Sequence, residues 1–342
     1  MSRTTSTADA QPAARHTRVL EVRDLSVTFR TETGTVAAAD GVDLDLGSGE
    51  IVGVVGESGC GKSVTAMALT GLLPRSATVT GSVRLRDDEL VGASPATLRR
   101  VRGKDIAYIF QEPMTSLNPV LTVGRQIAEV LEQHESMNRR AATARAAELL
   151  AVVGIPSPAE RVKQYPHQLS GGMRQRVMIA MAIACEPAVL VADEPTTALD
   201  VTVQAGILDV LRRLRDETGM AVLVITHDLG VIADVADRVV VMYAGRVVER
   251  AGADDLFARP RHHYTAGLLA ASPTSGRHAG THRLEEIPGL VPVLREPPDA
   301  CTFAERCGAA DDTCRSRRPL LEVALGSGAA HEVACWHPKV SS

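Results

Sequence analysis

The sequence predicts an α/β fold in which helices cover both faces of a mostly parallel β-sheet. Short, fully apolar runs, as at residues 51–55 and 188–192, are typical of buried parallel strands. Segments with helical spacing follow those runs, at residues 62–73 and 203–218. Strands that alternate with helices indicate a parallel sheet between two layers of helices.

The remaining elements extend this pattern along the chain. Residues 122–153 are rich in Ala, Glu and Arg at helical spacing and carry no strand signal, so we predict a helical insertion there. A pair of strands is expected to turn at Ala244 and Gly245. We predict further strands at residues 19–30, 106–110, 221–225, 239–243 and 246–249, and a further helix at residues 171–184.

After about residue 260 the alternation of strands and helices stops, and proline and glycine become frequent. We therefore end the main domain at residue 260 and predict a small appendage over residues 261–342. Residues 1–16 are rich in Ser, Thr and Ala and have no apolar core, which is typical of a disordered tail. No internal repeat is found, so we expect a single main domain over residues 17–260.

Composition and charge exclude several classes of protein. The net charge is −4 and charged residues make up 23% of the chain, which leaves no basic excess for binding nucleic acid. No apolar run reaches the ~18 residues that a membrane-spanning helix needs. The N-terminus also lacks the apolar core of a signal peptide. We therefore expect a cytosolic protein that binds no nucleic acid but can dock on a membrane protein.

Residues 56–63 read GESGCGKS and fit the phosphate-loop pattern G-x-x-x-x-G-K-S. Its glycines let backbone N–H groups surround phosphates, and the helix that follows directs its positive end at the same anion. Lys62 is expected to reach the β- and γ-phosphates of ATP, and Ser63 to hold Mg²⁺ through its hydroxyl. The predicted phosphate-binding residues are Gly56, Glu57, Ser58, Gly59, Cys60, Gly61, Lys62 and Ser63.

Two carboxylates, Asp193 and Glu194, directly follow the apolar run at residues 189–192. They stand at the C-terminal end of a predicted strand, where α/β sheets bind ligands. Asp193 is expected to coordinate Mg²⁺ through water, and Glu194 to polarise the water that attacks the γ-phosphate. Together with the phosphate loop, this pair predicts a site that binds and hydrolyses ATP.

The segment LSGGMRQR at residues 169–176 resembles the signature motif of ATP-binding cassette (ABC) ATPases. Other motifs of that family are present in the expected order over residues 19–260. The resemblance implies a P-loop ABC-type ATPase domain over residues 17–260. It further implies that this domain contains an antiparallel β subdomain and a helical subdomain at about residues 115–175.

The same resemblance assigns roles to four further residues. Gln111 resembles the Q-loop glutamine, which would link Mg²⁺ and the attacking water to the helical subdomain. His227 resembles the H-loop histidine, which would contact the γ-phosphate and help to orient the water. Asp200 ends a D-loop-like TALD segment at the nucleotide, and Phe29 takes the place of the aromatic that stacks on adenine.

The signature residues Ser170, Gly171 and Gly172 open a predicted helix, so they would form a second anion site. The helical insertion separates this site from the chain's own phosphate loop. The resemblance therefore implies a head-to-tail dimer with a second ABC ATPase subunit, identical or homologous, in which each ATP lies between two chains. Met173 replaces the usual glutamine of the motif, at a position that contributes less to phosphate contact.

A narrower resemblance is to the ATPases of oligopeptide and dipeptide importers. It is carried by QEPMTSLNP at residues 111–119, HYT at residues 263–265 and CTFAERC at residues 301–307. It implies a peripheral subunit on the cytoplasmic side of the cell membrane that drives uptake of peptides or a related solute, such as nickel. It also implies two transmembrane permeases and an extracytoplasmic solute-binding protein as partners.

Two other classes of protein stay open as alternatives. A soluble ABC ATPase would act on ribosomes or DNA, but such proteins usually carry two cassettes or a long coiled coil, and the sequence predicts neither. A regulatory or metal-sensing module built on an inactive ATPase is disfavoured by the presence of Lys62, Glu194 and His227.

Four of the six cysteines crowd into the appendage. Their spacing, C-x₅-C-x₆-C-x₂₀-C, contains no close C-x₂₋₄-C pair and no common ferredoxin run, so spacing alone does not choose a metal. The importer resemblance implies a [4Fe–4S] cluster held by Cys301, Cys307, Cys314 and Cys335. Zinc and reduced structural thiols remain alternatives. Cys60 is expected to be an inert small residue in a reducing cytosol.

Overall fold

The computed structural model describes residues 17–32, 34–111, 116–197, 199–272, 286–324 and 331–339. The tail predicted at residues 1–16 lies outside the described residues, as do residues 112–115 of the importer-like motif and Ala198 of the D-loop.

The strands are β1 (Arg18–Thr31), β2 (Gly34–Gly47), β3 (Ile51–Val55), β4 (Ala77–Leu85), β5 (Asp88–Glu89), β6 (Ile106–Ile109), β7 (Val189–Asp193), β8 (Ala221–Thr226), β9 (Arg238–Tyr243), β10 (Arg246–Gly252), β11 (Glu322–Val323) and β12 (Glu332–Val333). The α-helices are α1 (Lys62–Leu69), α2 (Pro95–Val101), α3 (Val123–His134), α4 (Arg139–Val152), α5 (Pro158–Arg161), α6 (Gly171–Ala182), α7 (Val201–Thr218), α8 (Leu229–Val235), α9 (Ala253–Ala258), α10 (His263–Ala271) and α11 (Asp312–Ser316). Short 3₁₀ turns lie at Pro166–Gln168 and Ala304–Arg306.

The larger sheet has the strand order β11-β12-β10-β9-β3-β8-β7-β6. The strands from β9 to β6 run parallel, and every residue of β3, β7 and β8 is buried. The predicted α/β fold with a buried parallel core is thus confirmed. Because β3, β8 and β7 are neighbours, their C-terminal ends meet at one edge of the sheet. The phosphate loop, His227 and Glu194 follow those three strands, so the topology gathers them at that edge.

The smaller sheet has the order β2-β1-β4-β5 and is antiparallel throughout. It is the antiparallel β subdomain that the family resemblance implies. Sequence periodicity predicts β1 but not its neighbour β2. In β2 the side chains of Val42, Leu44 and Leu46 enter the core, whereas Asp43 and Asp45 between them are only partly buried.

Helices α3 and α4 fill the helical insertion predicted at residues 122–153. Helix α7 begins at Val201, two residues before the predicted start at residue 203. The cause is Asp200, whose carboxylate accepts the N–H of Val203 at 2.9 Å and caps the helix. None of the described helices combines the length and the hydropathy needed to cross a bilayer.

The appendage continues the larger sheet instead of hanging from it on a linker. Strand β12 pairs antiparallel with β10, and β11 pairs with β12. Beside this junction the fully buried carboxylate of Glu249 accepts the N–H of His262 at 2.9 Å, and Nε2 of His331 lies 2.7 Å from it. The predicted boundary at residue 260 therefore separates two parts of the sequence whose strands belong to one sheet.

His262 is expected to make the fold sensitive to acid. Its side chain is buried, and its Nδ1 accepts the N–H of Tyr264 at 3.1 Å to cap α10. Burial, which outweighs the nearby Glu249, lowers the pKa of His262 from 6.5 to about 4. As the pH falls below 6.5, the unfolded chain binds a proton that the folded chain does not. The free energy of unfolding should therefore fall by about 3 kcal/mol as the pH approaches 4.

Chemical denaturation of the full chain at pH 7 and pH 4.5 measures this loss, with the variant His262→Asn as its control. Asparagine keeps an acceptor for the helix cap but does not titrate. The variant should therefore lose less stability than the parent between the two pH values. Equal losses in the two proteins would show that His262 is not the group responsible.

Candidate functional site

The phosphate loop connects the end of β3 to the first turn of α1, and it lies directly against two other strands. Gly56 and Gly61 both have positive φ, at 153° and 99°. A Cβ at Gly56 would lie 2.3 Å from the carbonyl oxygen of Met242, and one at Gly61 would lie 2.2 Å from that of Ala38. Only glycine allows this loop to pack so closely while its backbone turns inward.

Lys62 lies over this loop. Its side chain is buried, and its ammonium donates to the carbonyl oxygens of Gly56 at 2.7 Å and Glu57 at 3.0 Å. The loop residues that remain exposed to solvent are Ser58 and Gly59. The charge of Lys62 is thus held at the mouth of the loop by main-chain acceptors of the loop itself.

Ser63 and Asp193 are brought together where α1 faces the end of β7. The hydroxyl of Ser63 donates to Oδ1 of Asp193 at 3.0 Å. The hydroxyl of Tyr108, on the neighbouring strand β6, donates to Oδ2 at 2.7 Å. Burial raises the pKa of Asp193, against the effect of these two hydrogen bonds. Ser63 and Asp193 offer hard oxygen donors, which suit Mg²⁺.

Glu194 collects three side-chain contacts directly after β7. Its Oε2 accepts from Nε2 of Gln111 and from Oγ1 of Thr197, both at 2.8 Å, and its Oε1 lies 3.2 Å from Nδ1 of His227. Burial alone would raise its pKa, but the hydrogen bonds from Thr197 and His227 outweigh burial and hold the pKa of Glu194 below its usual value. Glu194 is therefore ionised at neutral pH and can accept a proton from water.

The backbone of Glu194 adopts a φ of 48°, which is costly for a residue with a side chain. Such strain is typical of functional sites, where the surrounding structure holds a residue in place. Here the N–H of Glu194 donates to the carbonyl oxygen of Ile225 on β8 at 2.8 Å. The strained turn thus directs the carboxylate toward Gln111 and His227.

Sequence reasoning missed Tyr108 as a member of this site, and it named Thr197 only as part of the D-loop-like segment, with no contact to Glu194. A signal existed for Tyr108, since it is the one hydroxyl-bearing residue in the otherwise apolar strand IAYI. The signal for Thr197 was weaker, since hydroxyls are common in turns after strands. Both residues act here as donors to the two carboxylates.

The signature residues form an exposed helix start. Ser170 caps α6, because its hydroxyl accepts the N–H of Met173 at 3.4 Å. A Cβ at Gly172 would lie 2.5 Å from Cγ1 of Val203, so glycine is needed there for α6 to approach α7. At Gly171 a Cβ would meet only Leu199, at 3.7 Å. Within the described residues no hydrogen bond joins this helix start to the phosphate loop of the same chain.

Two predicted nucleotide contacts have other surroundings in the fold. Phe29 lies in β1 opposite Val36 and Ala77, half-buried against the core of the smaller sheet. Asp200 caps α7 through its side chain. Their contacts with a nucleotide stay predictions.

The four cysteines of the appendage lie near enough for the other three thiols to act electrostatically on Cys335, and no described cysteine forms a disulfide. The N–H of Cys301 donates to the carbonyl oxygen of Cys314 at 2.9 Å. Burial first, and then the charges of the other three thiols, raise the pKa of Cys335 to about 12. Cys60 in the phosphate loop is buried too, and burial raises the pKa of its thiol, as expected for an unreactive residue.

A second group of potential metal ligands shares one of these cysteines. One ligand atom each of Asp311, Cys314 and His337 lies within 4.8 Å of the other two. The four cysteine sulfurs do not form such a tight group among the described residues.

Comparison with known proteins finds a matching family for the main domain and another for the appendage. Residues 39–197 match the family described as ABC transporter, and residues 248–314 match the family described as oligopeptide/dipeptide transporter, C-terminal region. The probable peptide ABC transporter ATP-binding protein y4tR of Sinorhizobium fredii is 52% identical, over 93% of this chain and 94% of that protein. The dipeptide transport ATP-binding protein DppD of Bacillus subtilis is 49% identical, over 93% and 94%.

Two further comparisons concern size and structure. The oligopeptide transport ATP-binding protein OppD of Mycobacterium tuberculosis is 53% identical over 93% of this chain, which spans only 51% of that protein. Among solved structures, the dimeric post-hydrolysis state of the ATP-binding cassette MJ0796 with ADP and phosphate is 28% identical. It covers 68% of this chain and 98% of its own, with a TM-score of 0.62.

Proposed function

The chain belongs to the ABC transporter family of ATPases, and from this premise we propose that it powers the import of peptides by hydrolysing ATP at the edge of its parallel sheet. The observation that carries the proposal is the meeting of Gln111, Thr197 and His227 on the carboxylate of Glu194. That carboxylate follows directly after Asp193, which accepts a hydrogen bond from Ser63. The edge of the sheet thus holds a base and an oxygen-donor pair side by side.

In the proposed mechanism each group has one task. Lys62 and the backbone N–H groups of the loop bind the β- and γ-phosphates. Ser63, and Asp193 through water, hold Mg²⁺, which neutralises phosphate charge when bound. Glu194 accepts a proton from the attacking water, while His227 orients that water at the γ-phosphate and Gln111 joins the site to the helical subdomain.

The working unit of the proposal is a dimer of ATPase subunits. The start of α6 at Ser170 is exposed, and in the described part of the chain no hydrogen bond joins it to the phosphate loop. A helix N-terminus binds anions, so this one is suited to the γ-phosphate held by a partner subunit. The dimeric form of MJ0796 supports this arrangement. The partner is a second copy of this chain or a homologous ATPase.

Peptides are proposed as the solute because the relatives named above are peptide and dipeptide transport proteins. The importer would contain two membrane permeases fed by an extracytoplasmic solute-binding protein, with this chain on the cytoplasmic side of the cell membrane.

The solute can be tested by reconstituting the complex that co-purifies with this chain from membranes. Hydrolysis of ATP by the complex in vesicles should rise when the binding protein is loaded with a peptide, and labelled peptide should accumulate inside. A rise with nickel and not with peptide would replace peptide by nickel as the solute. Recovery of the chain with ribosomes or DNA, and without permeases, would contradict the transport function.

We further propose that Cys301, Cys307, Cys314 and Cys335 hold a [4Fe–4S] cluster, which would stabilise an appendage with little apolar core. The chemistry of the donors supports it, because burial raises the pKa values of Cys301, Cys314 and Cys335 and so favours a bound cation over free thiolates there. The spacing of the sulfurs argues against zinc. A tetrahedral zinc site with bonds of about 2.3 Å requires its four sulfurs to lie less than 4.8 Å from one another. Among the described residues these four sulfurs do not all lie within that distance.

Anaerobic purification is expected to yield a brown protein with about four iron and four sulfide ions per chain. Replacing Cys307 with serine should remove most of the visible absorbance. Cys185 is partly buried and lies outside the appendage, so Cys185→Ser is the matched control and should keep the colour. A colourless, iron-free and folded protein would contradict the cluster, and one zinc per chain would favour the group of Asp311, Cys314 and His337.

A further inference from the structure

The phosphate loop contains an acidic residue, Glu57, at a place where a triphosphate is expected to bind. A carboxylate beside phosphates repels them, and the repulsion is strong where burial lowers the effective dielectric constant. The side chain of Glu57 is 29% exposed, so solvent screens its charge only in part. A loop with this residue therefore needs a compensating charge.

The compensating charge comes from the appendage. Arg306 donates from Nη1 to Oε2 of Glu57 at 2.7 Å and from Nη2 to Oε1 at 3.0 Å. This two-pronged geometry is the strongest that an arginine and a carboxylate can form. The side chain of Arg306 is only 7% exposed. Arg306 and Glu57 are 249 residues apart in the sequence, so the contact joins the appendage to the phosphate loop.

Arg306 is itself held firmly by the appendage and by β9. Its Nε donates to the carbonyl oxygen of Pro288 at 2.7 Å, and Nη2 donates to that of Ile287 at 3.2 Å. The guanidinium carbon lies 5.7 Å from the ring centre of Tyr243 and 6.0 Å from that of Phe303. Such contacts with aromatic faces favour the cation. The position of the guanidinium is thus set before any nucleotide binds.

The main chain of Glu57 is fixed from the same side. Its N–H donates to the hydroxyl oxygen of Tyr264 on α10 at 2.8 Å, and its carbonyl oxygen accepts from Lys62 at 3.0 Å. Tyr264 is fully buried, and its ring centre lies 4.7 Å from that of Tyr243. The appendage therefore holds both the side chain and the backbone of one residue of the phosphate loop.

We propose that Arg306 is a positioning residue of the ATP site, which neutralises Glu57 and draws its carboxylate away from the phosphates. The proposal rests on the proposed role of the loop at residues 56–63. It adds that the affinity for ATP depends on a residue outside the ATPase cassette. Without Arg306, the charge of Glu57 would oppose the triphosphate and the loop would lose one of its anchors.

The test measures the dissociation constant for ATP of the full-length chain at low and high salt. Arg306→Gln should weaken ATP binding by about tenfold at low salt and by less at high salt, because salt screens the exposed part of the repulsion. The double variant Arg306→Gln with Glu57→Gln should recover most of the lost affinity, since the repelling carboxylate is gone. Arg315→Gln is the matched control, because Arg315 is an exposed arginine of the same appendage.

The outcomes separate charge compensation from a general structural role. Loss of affinity in Arg306→Gln that the Glu57→Gln substitution does not recover would overturn the proposal, as would affinity equal to that of the parent. If Arg306→Gln fails to fold, Arg306→Lys keeps the charge without the two-pronged contact, and its affinity for ATP should stay close to that of the parent. Parent-like affinity in Arg306→Lys at both salt concentrations would then support charge compensation, and lost affinity would overturn it.

Lys62→Ala distinguishes a failure of this inference from a failure of the proposed function. If Lys62→Ala still binds ATP as the parent does, the assignment of the phosphate loop itself is wrong. If Lys62→Ala loses affinity while Arg306→Gln does not, only the role of Arg306 is wrong.

Discussion

Replacing Glu194 with glutamine is expected to slow ATP hydrolysis by about a hundredfold or more while ATP binding is kept. Glutamine has the same shape, and its oxygen can accept the hydrogen bonds that Oε2 receives from Gln111 and Thr197. It cannot accept a proton from water, because an amide is not a base at neutral pH. The loss should therefore appear in the rate and not in the dissociation constant.

The measurement pairs an equilibrium titration with ATP and a single-turnover assay in the assembled complex. Glu186→Gln is the matched control, since Glu186 is a carboxylate on the surface with its side chain 72% exposed. That control should hydrolyse ATP at the rate of the parent. Hydrolysis at the parent rate in Glu194→Gln would refute the role of Glu194, and loss of ATP binding would show that the residue serves the fold or the nucleotide instead.

The parallel sheet could be predicted because its central strands are buried on both faces. A run such as Ile51–Val55 has no polar residue, so its apolar pattern is visible without any knowledge of its neighbours. Strand β2 gives a weaker signal, because its first half is built from small residues. Ala37 and Ala39 fill its buried positions there, and Asp40 and Gly41 interrupt the alternation that follows. Such a strand is stabilised by pairing with β1, a long-range contact that local pattern does not reveal.

The residues of the candidate site likewise include some that the local sequence predicts and others that it does not. Lys62, Asp193 and Glu194 could be predicted because each stands at a fixed distance from a strand end. The hydroxyl of Tyr108 on β6 donates to a carboxylate on the neighbouring strand β7, and Arg306 donates to Glu57 across 249 residues of sequence. Their partners are chosen by the packing of the finished fold. No local rule of spacing describes such contacts, so they emerge only once the strand order and the place of the appendage are known.

The second large effect is expected at the signature, where Gly171→Glu should slow ATP hydrolysis of the assembled complex by about a hundredfold or more. The fold tolerates a side chain there, because a Cβ at Gly171 meets nothing nearer than Leu199 at 3.7 Å. The new carboxylate would occupy the helix start that is proposed to receive the γ-phosphate of the partner's ATP. It would repel that anion where the exposed N–H groups of α6 should attract it.

To decide whether the ATP site is shared between two chains, ATP binding by the isolated variant is compared with ATP hydrolysis by the assembled complex. The isolated Gly171→Glu chain should bind ATP as tightly as the parent, because its own phosphate loop is unchanged. Gly171→Ala is the matched control, since it adds a side chain of one carbon and no charge, and it should keep most of the activity. Hydrolysis at the parent rate in an assembled Gly171→Glu complex would contradict a shared site. Weaker ATP binding by the isolated variant would instead place the signature beside the phosphate loop of its own chain. A loss confined to the assembled complex would therefore mean that each phosphate loop is completed by the signature of the other subunit.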